Sequence, residues 1–149
     1  MKLPLMIVPL LTKPKVTYIK CGGSYQLVKE YRVNTLLFPE YTIEAPRLKL
    51  DTKGILTISD GYCWDGCSGP VLDRKTNMRA GLVHDALYEI MRKGLLPYTR
   101  WREADVCFGN ILKEDGAWNI TIKIDMAGLR IAKGKYANPK QRKERYFAP

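Results

Sequence analysis

The only histidine of the chain, His84, stands directly before Asp85 and four residues before Tyr88, in the run HDALY. Imidazole is the side chain that titrates nearest neutral pH, so a histidine held by a carboxylate can act as a general base. A carboxylate at suitable spacing follows. Trp101, Asp105, Phe108 and Leu112 fall at i, i+4, i+7 and i+11, one helix face that is apolar apart from Asp105. A buried charge needs a partner. Arg102 is one turn away, and His84 and Tyr88 come within reach if the helix carrying them packs antiparallel to this one. The pattern fits a structural His–Asp–Tyr hydrogen-bond cluster and a catalytic dyad equally well.

Upstream, the loop YCWDGCSGP carries Asp65 and Ser68 between glycines. Such a loop can turn its carbonyls toward a hard cation, with carboxylates completing the shell, or its N–H groups toward an oxyanion. The run GCSGP is not the G-x-S-x-G elbow of a serine nucleophile. Cys63 and Cys67 would be half a zinc site, and no second pair of Cys or His ligands accompanies them.

The elements that must position these residues are of two kinds. Residues 16–64 read as antiparallel β-structure: VTYIKC, then SYQLVKEYRVN, then RLKLDTKGILTI, a hairpin that turns at Asp51 to Gly54. Beyond residue 74 the period becomes helical. One helix spans 76–93, capped by Thr76 or Asn77 and ended by Gly94, and a second spans 99–115 from Thr99 to near Gly116. The short GLLPY connection makes them antiparallel neighbours. A weaker third helix runs from about Asn119 to Lys133, although its ITIKI opening suits a strand as well. The fold expected is α+β, an antiparallel β N-terminal half packed beside an antiparallel helical pair. Residues 1–131 form one domain with 1–15 as a possible docking arm, and 132–149 are a basic tail.

The bulk properties bound the partners. The chain has 149 residues and a net charge of +10, from 25 Lys and Arg against 15 Asp and Glu. That favours anionic partners. Half of the excess sits in AKGKYANPKQRKERYFAP, where six Lys or Arg meet one Glu, and a solvated tail is the expectation there. No helix-turn-helix spacing, zinc finger or RNA-binding aromatic motif is present, so nucleic acid is not expected as a specific target. Four cysteines are too sparse for a disulfide scaffold and imply a reduced, intracellular protein. The start MKLPLMIVPLLTKPK is interrupted by Pro4 and Pro9, is too short to span a bilayer and lacks a signal-peptide cleavage site.

Three blocks together resemble the phospholipase A2 superfamily. Its calcium loop has counterparts in Tyr62, Cys63, Gly66, Ser68, Gly69 and Pro70, its His-Asp helix in His84, Asp85 and Tyr88, and the second helix of its bacterial and fungal branch in Arg102, Asp105 and Phe108. The same blocks resemble more closely a small family of bacteriophage and prophage proteins of uncharacterised function. The likeness covers residues 61–112. The cysteine that precedes the superfamily histidine is absent here, and Trp64 replaces a loop glycine. The resemblance implies His84 as general base for ester hydrolysis, Asp105 orienting it and Tyr88 supporting Asp105. It implies Ca²⁺ held by Asp85 and by carbonyls around Tyr62, Trp64 and Gly66, at an anionic lipid or membrane surface. It equally implies a virion or assembly protein that keeps the helical pair as scaffold and binds phage structural proteins through its arm and tail. Host cytoplasm or phage particle is the location that follows.

Overall fold

The computed structural model describes residues 15–66 and 74–141, the side chains of Tyr136 and Gln141 excepted. The expected arm up to residue 14, the loop residues Cys67, Ser68, Gly69 and Pro70, and the end of the basic tail lie outside the described residues.

The β-rich half forms β1 (Tyr18–Cys21), β2 (Ser24–Leu27), β3 (Tyr31–Asn34), β4 (Ile43–Ala45), β5 (Leu48–Leu50), β6 (Ile55–Ile58) and β7 (Cys63–Trp64). All pairings are antiparallel, as expected. The strands divide into two sheets, ordered β1-β2-β7 and β3-β6-β5-β4. The run SYQLVKEYRVN therefore splits between sheets. Leu27 and Tyr31 are both buried, and a continuous strand would place Lys29 between them on the same inward face. The charge breaks the run there, and the chain turns a corner. The β5–β6 hairpin forms where its turn residues demand it. Asp51 Oδ1 accepts the N–H groups of Lys53 at 2.9 Å and Ile55 at 3.0 Å, and Gly54 takes a φ of +82°.

The helices are α1 (Met78–Arg92), α2 (Trp101–Glu114) and α3 (Asn119–Ala132). The ITIKI segment is helical. Asn77 precedes α1 but does not cap it through its side chain; Asn77 Oδ1 accepts the Arg74 N–H at 2.7 Å instead. Gly94 closes α1 at a φ of +73°, and a short 3-10 turn, Tyr98–Arg100, leads into α2. α1 and α2 pack on each other as the short connection requires.

One cation ties the layers together. Arg79, at the start of α1, donates from Nη1 to Tyr31 Oη of β3 at 2.9 Å and from Nε to Asp115 Oδ2 at 3.0 Å, and pairs with Glu114 at the end of α2. The tail does not begin as a solvated segment. Gly134, with φ of +69°, lies so close to Trp101 that a Cβ would fall 2.2 Å from the indole Cγ, and Ala137 is buried. Small residues at these positions let the chain fold back onto the helical pair. No helix among the described residues is long and apolar enough to cross a membrane.

Candidate active site

α1 is enclosed over most of its circumference, and two of its stripes carry polar chemistry. His84 and Tyr88, one turn apart, face α2. His84 Nε2 lies 2.7 Å from Asp105 Oδ1, and Tyr88 Oη donates to the same oxygen at 2.7 Å. All three residues are buried. The rings of His84 and Tyr88 stack with centroids 4.0 Å apart, and Phe108 meets the imidazole edge-on at 5.3 Å. The sequence stripe thus brings together the residues it singled out. Arg102 is not among them. It is exposed, with its guanidinium 5.3 Å from the Trp101 ring centroid, because its position on α2 points away from α1.

This geometry fixes the tautomer. Burial and the adjacent Asp105 push the Tyr88 phenol well above its ordinary range, so it keeps its proton and donates. Asp105 Oδ1 is the acceptor for both neighbours. His84 Nε2 is therefore the ring donor, which in a neutral imidazole leaves the lone pair on Nδ1. The ring hydrogen bond of His84 among the described residues runs through Nε2. Asp105 Oδ2 is buried and unpaired among them.

The second stripe is Asp85, Glu89 and Arg92, at i, i+4 and i+7 and only partly buried. Tyr62, which leads into β7, faces it, with Oη 3.4 Å from Asp85 Oδ2. Burial raises the Asp85 carboxyl above the usual carboxylate range; Arg92 and His84 oppose the rise, while Glu89 and Asp65 add to it. Burial likewise pushes the Tyr62 phenol up, with Asp85 and Glu89 reinforcing it. Sequence reasoning missed Glu89 and Arg92, although their spacing from Asp85 is legible. It also assigned Tyr62 a carbonyl role rather than a hydroxyl one.

The calcium set implied by the resemblance meets an obstacle. Gly61, at φ of +85°, donates its N–H to Leu27 O at 2.6 Å, and Tyr62 O accepts the Leu27 N–H at 2.8 Å. This is a glycine bulge that stitches the loop to β2. Trp64 continues the ladder opposite Tyr25. Its indole is buried against Tyr18 and Tyr25, with centroids 5.6 Å away in each case, and not over His84. The Tyr62 carbonyl and the Trp64 backbone are thus committed to the sheet, while Asp65 Oδ1 accepts from Ser24 Oγ at 2.9 Å. Gly66 remains at the edge of the described segment with φ of +86°, and Ser68 lies beyond it. Among the described residues no group of three or more His, Cys, Asp or Glu is placed to hold a metal ion. Taken alone, these described donors fall short of the six or more oxygens of a Ca²⁺ shell.

What the arrangement can do is accept a proton at an imidazole nitrogen whose ring is oriented by a carboxylate. No protein-family model, curated protein or solved structure matches the chain.

Proposed function

We propose that the chain is a phospholipase A2-like carboxylic ester hydrolase of a phage or prophage, with His84 as general base, Asp105 as its orienting carboxylate and Tyr88 as the support of Asp105. The observation that carries this reading is the convergence of His84 Nε2 and Tyr88 Oη on one Asp105 oxygen, each at 2.7 Å. In the reaction, His84 Nδ1 takes a proton from water as the water oxygen bonds to the ester carbonyl carbon. The tetrahedral intermediate then collapses, the C–O bond to the alcohol breaks, and the Nδ1 proton passes to the leaving alkoxide. Asp105 faces the imidazolium while it exists and keeps the ring from rotating.

A second reading has its own support. His84 is 3% exposed, and Tyr88 and Phe108 close over its ring, as suits a scaffold in a virion or assembly protein. Substitution of His84 by Gln separates the two. Glutamine fills similar space and still hydrogen-bonds Asp105, so an enzyme retains most of its stability and loses about 10²- to 10⁴-fold in hydrolysis. A scaffold loses stability or assembly instead, and the unsubstituted protein hydrolyses neither vesicle nor dispersed short-chain phospholipid.

A further inference from the structure

α3 is apolar on two opposite sides, and only one of them is covered. Ile122, Met126 and Leu129 turn inward; Gly109 of α2 admits Met126, whose sulfur would lie 3.1 Å from a Cβ at that glycine. Asp125 is buried on the same side, in an ion pair with Arg74 at 2.6 Å. Opposite them Ile120, Ile124 and Ile131 are 65%, 64% and 81% exposed, and Trp118, just before the helix, is 78% exposed. With the exposed Ala127 these isoleucines fall at i, i+4, i+7 and i+11 and form one stripe. A helix apolar all round belongs in a core or against an apolar medium. A contiguous exposed stripe of this kind marks an interaction surface.

The charges beside the stripe select its occupant. Lys123 and Arg130 flank it and Lys133 follows its end, all exposed, while the one acid of the helix is already paired with Arg74. A second copy is a poor match. In a coiled-coil-like pairing through the stripe, Lys123 and Arg130 occupy the flanking positions, so an antiparallel pair sets like charges against each other. A parallel pair offers them only Thr121 and Gly128. Nucleic acid would leave the isoleucines in water.

We propose that the outward face of α3 docks on an anionic lipid bilayer, lying in the interface with Ile120, Ile124, Ile131 and Trp118 at the acyl boundary and Lys123 and Arg130 on the phosphates. Fourteen residues give a helix of about 20 Å, suited to lie in the headgroup plane rather than to span it. The choice of a bilayer over an acidic protein rests on the proposed lipid esterase reading; the surface itself does not.

The test is flotation with vesicles of phosphatidylglycerol and phosphatidylcholine, against phosphatidylcholine alone. It uses the full chain carrying His84→Gln, so that the lipid stays intact. The expected result is binding to the anionic vesicles that weakens with salt, accompanied by a blue shift of tryptophan emission, since Trp118 is far more exposed than the buried Trp64. Ile124→Glu with Ile131→Glu should weaken binding by about tenfold or more. Lys123→Gln with Arg130→Gln should lower its salt dependence without touching the stripe. No flotation, equal flotation of the isoleucine variant, or a dimer that the isoleucine variant dissociates would each overturn the proposal. Flotation without hydrolysis by the unsubstituted protein would leave the docking surface standing and remove the esterase. Hydrolysis of dispersed lipid without flotation would do the reverse.

Discussion

Tyr62 Oη and Asp85 Oδ2 face each other across 3.4 Å between β7 and α1, where both groups are driven toward their neutral forms by burial. A core optimised for stability alone has no use for a carboxyl group there. The folded-state pKa of Asp85 is raised, so the native protein holds a proton that the unfolded chain releases. Stability therefore falls as pH rises from the ordinary carboxyl value of 3.8 through the raised one.

Asp85→Asn is accordingly expected to stabilise the protein at pH 7, by about 1 kcal/mol. The gain should shrink as pH falls below the raised value and vanish near that of the unfolded carboxyl. Urea denaturation of both proteins across pH 3–7 measures it. A destabilised Asp85→Asn protein at pH 7 would show that the ionised carboxylate is held by a favourable partner.

A test of the Ca²⁺ expectation concerns the same side of α1. Because the Tyr62 carbonyl and the Trp64 backbone are committed to β2, neither Ca²⁺ nor a chelator should change thermal stability or hydrolysis. A bound ion at a hundredfold excess over its Kd would add about 2.7 kcal/mol. An increase of that order would mean that residues 67–73 supply the missing oxygens.

Arg79 is expected to be the costliest surface-reaching residue to lose. It is bonded at once to Tyr31, Glu114 and Asp115, and so joins β3 to the start of α1 and the end of α2. Arg79→Met should destabilise by about 2–4 kcal/mol, because it strands acceptors and a phenol in a largely buried setting. Chemical denaturation checks it. A change below about 0.5 kcal/mol would place the cluster among exposed ion pairs of little worth.

Much of this architecture was legible because it is local. Period 3.6 marked the helices, the Asp51–Gly54 turn marked the hairpin, and the lone acid on the Trp101–Asp105–Phe108–Leu112 face pointed to a polar partner on α1. The rest depends on contacts distant in sequence. β7 pairs with β2 rather than with its sequence neighbour β6, which divides the strands into two sheets, and no periodicity encodes that. The Tyr62–Asp85 contact follows from it. Arg102 looked equivalent to His84 as a partner for Asp105, and the helix rotation that turns it toward solvent appears only once α2 is packed. The tail reads as solvated by charge, yet Gly134 and Ala137 seat its first residues against the helices.

Asp105 is the residue on which both readings of function converge, since its loss strands an imidazole and a phenol in the core. Asp105→Ala should destabilise by about 2–4 kcal/mol. Tyr88→Phe should cost less, about 0.5–1.5 kcal/mol, because the ring keeps its stack on His84 and only one hydrogen bond is lost. In the double variant the Tyr88 substitution should cost almost nothing further, giving a coupling energy close to the Tyr88→Phe effect itself. The activity arm goes further. If Tyr88 only steadies Asp105, Tyr88→Phe lowers hydrolysis far less than His84→Gln and does so in kcat rather than KM. Strictly additive stability effects would mean that the two side chains are not bonded in solution, and would remove the support assigned to Tyr88.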